Sequence, residues 1–282
     1  MNAEIVNYDS IQLYRGFDIG SAKPTVQQRA GVTHHLLDVI EADDDFNAAD
    51  YAREADVAID EITARNRTPL LVGGTGFYLR SLLSGLPPMP AANAAIRQKI
   101  RSIMARRKGR ERLYRLLARV DPVSANRLSE ADTHRIERAL EVYLVSGQPI
   151  SSWTPPRPSS SLRYRTCRFA VPLPRSLLLE RLDRRVDQMY EAGLIEETAL
   201  LAQEYSTKGR PFEAIGYREA LMVIGGQIEL AEAISETKRR TRLYAKRQMT
   251  WLRSEQNLRW IDLTRGTEAA LHEMLAIWRS RC

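Results

Sequence analysis

No stretch of this 282-residue chain approaches the roughly 20 apolar residues that a membrane span requires. No apolar signal segment opens it, so it reads as a cytosolic protein. Its two cysteines, Cys167 and Cys282, stand far apart and make neither a disulfide framework nor a metal motif. Histidine is scarce, and His34 and His35 are adjacent. Neighbours on a strand face opposite ways, and no third ligand sits at useful spacing, so structural or substrate-lining roles suit them better than metal binding. The phosphate-binding pattern Gly-x-x-x-x-Gly-Lys-Ser/Thr occurs nowhere, and there is no internal repeat.

What is abundant is positive charge. Lys and Arg total 42 against 35 Asp and Glu, giving a formal net charge of +7 and a pI near 9.5. Such a balance favours an anionic partner, with nucleic acid the first candidate. Hydrophobic content of 44% is ordinary for a globular protein able to bury a core.

A short β-leaning run at Ile5, Val6 and Tyr8 ends in Asp9-Ser10, with Gln12, Arg15, Lys23 and two glycines close behind. Open α/β folds place chemistry at such strand ends, and a carboxylate there can serve as a general base. Read in isolation, Asp9-Ser10 is a helix cap. Asn47 is a good N-cap for a helix in which Tyr51, Ala55, Val57, Ala58 and Ile62 recur at helical spacing. Leu70-Leu-Val72, running into Gly73-Gly74-Thr75-Gly76, reads as a buried parallel strand followed by a loop that lets backbone approach a ligand. The order strand, helix, strand gives an α/β class.

From Asn93 to about Ser146 the chain reads as helical and strongly basic, with one helix opening at Asp132 and stopping at Gly147. Confinement of that charge to one segment suggests an inserted module with a polyanionic partner. Ser151 to Ser161 reads as a Pro/Ser-rich linker, and Cys167 to Leu173 as a return to the sheet. The expected division is an α/β core of residues 1–90 and 164–282 around a helical insertion of residues 91–163. Near the end, a helix from about Leu230 to Arg253 sets Arg239, Arg242, Lys246 and Arg253 near one face. Tyr244, Gln248 and Trp251 form a neighbouring stripe suited to base stacking or to the core.

These segments together resemble the tRNA dimethylallyltransferases, or tRNA isopentenyltransferases. The resemblance rests on Asp9-Ser-Ile-Gln12 with its continuation to Lys23-Pro24, Leu71 to Arg80, and His134-Arg-Ile-Glu-Arg138. It extends to Ala214-Ile-Gly216-Tyr-Arg218 and Lys246-Arg-Gln-Met-Thr-Trp-Leu-Arg253. It implies a parallel sheet of the P-loop nucleotide-binding type, flanked by helices and carrying a basic all-helical insertion. It also implies transfer of a dimethylallyl group from dimethylallyl diphosphate to N6 of the adenine beside the tRNA anticodon, with Mg²⁺ as cofactor, in a cytoplasmic monomer.

By the same resemblance Asp9 accepts the N6 proton and Arg218 steadies the reacting groups within the channel. Contacts to the tRNA anticodon stem-loop are implied for Asp9, Ser10, Ile11, Gln12, Thr75, Arg97, His134, Arg135 and Arg138. They are implied also for Gly216, Tyr217, Arg218, Lys246, Arg247, Gln248, Thr250, Trp251 and Arg253. Asn93 and His134 depart from the aspartate and glutamine usual in the family. The larger departure is at the front, where the family places a first strand and a glycine-rich phosphate loop well ahead of the Asp9 position. Here Met1 lies eight residues before Asp9, so that strand and loop are expected to be missing, through a misplaced start or a gene fragment. The competing expectations are a catalytically dead tRNA-binding chain and an enzyme that prenylates free adenine nucleotides.

Overall fold

A computed structural model of the chain describes residues 2–153 and 162–281. They fall into two compact units: residues 2–85 with 162–281, and residues 86–153.

The first unit is built on parallel strands. β1 (Ala3–Asn7) lies between β2 (His34–His35) and β3 (Thr68–Val72), with Ile5 opposite His34 on one side and Leu70 on the other. The helix joining the outer strands, α1 (Ala48–Ala64), starts at Asn47. The Asn47 carboxamide oxygen accepts the Ala49 amide at 2.8 Å, and Asp50 accepts the Asn47 amide at 3.0 Å, a reciprocal capping box worth about 1 kcal/mol. Tyr51, Ala55, Ala58, Ile59 and Ile62 form its buried face. Val57, expected on that stripe, is 51% exposed, because it lies about 100° round the helix from Ala58.

β3 corrects the expectation of a buried strand. In register, Leu71 pairs with Val6 on the face that meets α1, whereas Leu70 and Val72 lie on the opposite face and are 41% and 47% exposed. No described strand pairs with its outer edge. A second sheet of two parallel strands, β4 (Arg168–Ala170) and β5 (Leu258–Trp260), stands apart from the first.

Helices complete the unit: α2 (Gly76–Ser84), α8 (Arg175–Glu191), α9 (Leu194–Glu204), α10 (Tyr217–Ile224), α11 (Leu230–Ser254) and α12 (Thr267–Arg281). The core includes a cluster of edge-to-face aromatics in which the Phe17 ring lies 4.9 Å from Tyr217 and 5.1 Å from Phe212.

The second unit packs α3 (Ala94–Met104), α4 (Gly109–Val120), α5 (Pro122–Ala125), α6 (Thr133–Ser146) and α7 (Ile150–Trp153) around Ile100, Leu113, Leu117, Ile136 and Leu140. α6 begins and ends where capping chemistry places it. Asp132 accepts the Arg135 amide, and Gly147 takes the left-handed conformation after the last turn. Ser151 to Trp153, expected as linker, are helical, and Asp121 accepts the Ser151 amide at 3.0 Å. The rest of that stretch, 154–161, lies outside the described residues.

Candidate active site

β1 ends in a tight turn, and no helix follows it. The Asp9 Oδ1 accepts the amides of Ile11 at 2.8 Å and Gln12 at 3.3 Å, which closes the turn and leaves Oδ2 without a protein donor among the described residues. Asn7 props this turn, accepting the Asp9 amide at 3.1 Å and donating to the Leu36 carbonyl at 2.9 Å. Across from it the Thr75 Oγ1 accepts the Ser10 amide at 3.0 Å and donates to the Ser10 Oγ at 3.3 Å.

The glycines of the Thr75 loop serve close approach between protein segments. A Cβ on Gly73 would stand 2.7 Å from the Tyr8 carbonyl carbon, and one on Gly76 would stand 2.3 Å from the Trp251 indole. Gln248 reaches the same loop, donating to the Gly74 carbonyl at 3.2 Å. The loop thereby locks α11 against the end of β1.

A cleft of about 360 Å³ opens at this junction. Asp9, Ser10 and Ile11 form one wall, Leu182, Arg185, Val186 and Met189 of α8 another, Glu213 to Ile215 a third, and Thr241, Tyr244, Arg247 and Gln248 of α11 a fourth. Its size and mixed apolar and polar lining are those of a small-ligand site. Burial raises the Tyr244 phenol, and the Asp9 charge raises it further. Desolvation lowers the pKa of Arg185, and the Asp9 charge opposes that shift.

The walls α8 and α11 are zipped by charge. Lys238 meets Asp187 at 2.6 Å, Arg242 pairs with Asp183, and the Tyr190 hydroxyl meets the Thr237 hydroxyl at 2.9 Å. Arg239 pairs with Glu236 at 2.6 Å and Arg240 with Glu219. Arg239 and Arg242, expected to share a ligand-facing stripe, are thus occupied within the fold. Lys246, Arg247 and Arg253 have no carboxylate partner among the described residues, and Arg247 stacks 5.8 Å from the Tyr244 ring centre. Thr250 is exposed beside them, whereas Trp251 packs on Gly76 with Arg80 5.8 Å from its ring centre.

Other expected contacts fall elsewhere. Gln12 donates to the carbonyls of Ser21 and Ala22 at 3.1 and 3.2 Å, and so pins the following turn. Lys23 is buried between Asp18 and Asp38 and donates to the Tyr14 carbonyl. Tyr217 is a correction: it is fully buried, donating to Glu197 at 2.6 Å and accepting the Gly20 amide at 3.1 Å, so its side chain offers no surface to a ligand. Gly216, buried at φ +97°, shapes the turn into α10.

Arg218, expected inside the channel, lies outside this cleft. It projects to solvent from the first turn of α10, does not line the cleft, and lies close enough to Glu236 to help Arg239 hold that carboxyl below its usual range. In the helical unit Arg97 and Arg138 both bond to Glu141, at 2.9 and 2.6 Å, while His134 and Arg135 are exposed.

Sequence reasoning passed over Arg185 and Glu197. Glu197 is raised by burial and accepts the Ile19 amide as well as the Tyr217 hydroxyl, tying α9 to the segment after Asp9. Arg185 carried a legible signal: with Leu182 and Met189 it falls at positions i, i+3 and i+7, so an arginine interrupts the apolar stripe of α8. Among the described residues no three His, Cys, Asp or Glu side chains gather as a metal cage. No described helix is long and apolar enough to cross a membrane.

Residues 12–255 match the sequence profile of the IPP transferase family. The tRNA dimethylallyltransferase of Solibacter usitatus is 45% identical over 262 residues, covering 92% of this chain and 84% of that protein. The tRNA dimethylallyltransferase of Geobacter metallireducens is 40% identical over 279 residues, covering 99% and 90%. The crystal structure of a tRNA isopentenylpyrophosphate transferase from Bacillus halodurans superposes with a TM-score of 0.70 at 34% identity, over 98% of this chain and 87% of that one. A eukaryotic dimethylallyltransferase acting on tRNA superposes with a TM-score of 0.79 at 25% identity, over 100% and 74%. Profile, sequence relatives and shared architecture agree, and the chain belongs to the IPP transferase family.

Proposed function

We propose that this chain transfers a dimethylallyl group from dimethylallyl diphosphate to N6 of the adenine beside the anticodon of tRNA, acting as a cytoplasmic monomer. The observation that carries this reading is the Asp9 carboxylate. One oxygen is held by two backbone amides, and the other is left to a cleft that combines apolar walls with cationic ones.

An exocyclic amine is a weak nucleophile because its lone pair is delocalised into the ring. As its nitrogen bonds to the allylic carbon, the carbon–oxygen bond to the diphosphate breaks and an N6 proton passes to Asp9 Oδ2. Positioned proton acceptance of this kind supplies roughly 10²–10⁴ in rate. The adenine must leave its stack to enter such a cleft, as enzymes that modify bases require. Lys246, Arg247 and Arg253 supply unpaired charge for tRNA phosphates. The protein builds no cage for Mg²⁺ among the described residues; the ion would enter on the diphosphate oxygens, as Mg²⁺ commonly does, and neutralise the leaving group.

The test is transfer of the dimethylallyl group to unmodified tRNA, read as modified nucleoside by mass spectrometry, in wild type and Asp9→Asn. Turnover is expected to fall about 10²- to 10⁴-fold in the variant while tRNA affinity holds. Equal turnover removes Asp9 from the chemistry. A wild-type chain that binds tRNA but transfers nothing replaces the enzymatic reading with a binding one.

A further inference from the structure

Glu197 is a carboxylate that the proposed chemistry does not use, and burial disfavours its charge where it stands. Its donors are backbone amides and a phenol rather than a cation. The Ile19 amide lies within reach of both oxygens, at 3.1 Å from Oε1 and 3.0 Å from Oε2. Oε2 also accepts the Asp18 amide at 3.3 Å, and Oε1 the Tyr217 hydroxyl at 2.6 Å. That hydroxyl accepts the next amide, of Gly20, at 3.1 Å. Three consecutive amides thus end on one carboxylate–phenol pair. The fit is close: a Cβ on Gly20 would stand 2.5 Å from the Tyr217 ring. Ala22 is held at φ +49°, a left-handed conformation that a residue with a Cβ keeps only where its surroundings impose it.

The segment so fixed presents the carbonyls of Ser21 and Ala22, which accept the Gln12 side chain at 3.1 and 3.2 Å. The Gln12 amide donates to Asp9 Oδ1 at 3.3 Å, beside the Ile11 amide at 2.8 Å. A continuous run of covalent and hydrogen bonds therefore leads from Glu197 on α9 to the Asp9 carboxylate. We infer that Glu197 is a positioning residue for Asp9. Through Tyr217, the backbone of residues 18–22 and Gln12, it fixes the direction in which Asp9 Oδ2 faces the cleft. This rests on the functional reading above, in which Oδ2 takes the N6 proton. A base displaced by about 1 Å loses about 10²-fold in rate, so a carboxylate outside the cleft can matter to the chemistry without touching it.

Glu197→Gln keeps the size of the side chain but turns one acceptor oxygen into a donor, set against the Ile19 amide whichever way round it lies. Amide exchange followed by NMR in the full chain, with transfer kinetics in parallel, reads the consequence. The variant is expected to release the Ile11 and Gln12 amides to faster exchange, while the amides of α1 keep their protection. It should lower kcat about 10- to 100-fold with the KM for tRNA unchanged, and Glu197→Asp should recover part of the loss. Added to Gln12→Ala, Glu197→Gln should cost little beyond the larger of the two single losses, because both act along one path. Losses that multiply overturn that path. Unchanged exchange at Ile11 and Gln12, or exchange that rises throughout the chain, overturns the positioning role. Where Glu197→Gln does not fold, Tyr217→Phe takes its place, removing the acceptor of the Gly20 amide and leaving Glu197 intact. If wild type transfers no prenyl group, the functional reading falls, while amide exchange still decides whether Glu197 positions Asp9.

Discussion

The arginines of the helical unit and the cations at the C-terminal end of α11 read alike in sequence and differ in the folded chain. Arg97 and Arg138 close on Glu141, which is fully buried, and the amide of Asn93 donates to the same carboxylate at 2.6 Å. Arg101 closes on Glu137 in the same way, at 2.8 Å. Lys246, Arg247 and Arg253 meet no carboxylate among the described residues. Charge therefore marks a binding surface only where the fold has not already consumed it. α11 shows the rule within one helix: its first half commits its cations to Asp183, Asp187, Glu219 and Glu236, and its last two turns keep theirs.

The comparison breaks first at Glu141. Replacing it with alanine leaves two arginines and a backbone amide without their acceptor. The expected loss is near the low end of the roughly 3–5 kcal/mol typical of a broken buried pair, because the arginine ends reach water. Urea unfolding checks it. A loss below about 1 kcal/mol would show that the three bonds merely decorate the unit, leaving Arg97 and Arg138 as free as Lys246.

At the other pole, Lys246→Gln with Arg253→Gln should leave unfolding within about 0.5 kcal/mol of wild type, as exposed substitutions do. For every tRNA phosphate that these changes leave without its cation, the slope of log affinity against log salt should flatten by about 0.7–0.9. Filter binding between low and moderate salt measures it, and an unchanged slope would take this end of α11 off the RNA. The smallest expected effect belongs to a carboxylate that is structural throughout. Glu4 bonds to His35, Arg65 and Arg67, and these partners hold its pKa down to about 2 from 4.5. Its stabilisation is complete above pH 4.5 and is lost as the pH falls toward 2. Thermal unfolding across that range should show the decline in wild type and a flatter profile in Glu4→Gln.

The elements were legible where local chemistry decides them. Asn47, Asp132 and Gly147 mark helix ends through their own side chains or backbone, and α1 and α6 begin and stop there. The Asp9 edge was legible through its position after a strand and its motif. What sequence could not give was pairing. Nothing near Arg97 in the chain announces Glu141, 44 residues on, and nothing near Tyr217 announces that Glu197 will bury its hydroxyl. Of the polar groups offered between Asp9 and Lys23, Asp9 and Ser10 reach the cleft, with Ile11 beside them. Gln12, Arg15 and Lys23 are drawn to Ser21, Glu41, Asp18 and Asp38 by interactions that pattern alone does not rank. The burial of β3 was misjudged for a related reason. An apolar run shows that a strand has a face to cover, and not whether a neighbour covers it.

The division of the sheet bears on mechanics. A backbone ladder fixes its strands in one register, because sliding by a residue breaks every bond and inverts every side chain. No such ladder joins β1–β3 to β4–β5 among the described residues. A carboxylate bridges them instead: Glu255, just past α11, accepts from Arg80 of α2 at 2.7 Å and from Arg168 of β4 at 3.2 Å. A fork of side chains enforces no register, so it behaves as a compliant joint where a ladder would be a rigid one. The alignment of Asp9, at the end of one sheet, with α11 is therefore held by side-chain contacts, among them the Glu255 fork, the Gln248–Gly74 bond and the Gly76–Trp251 packing.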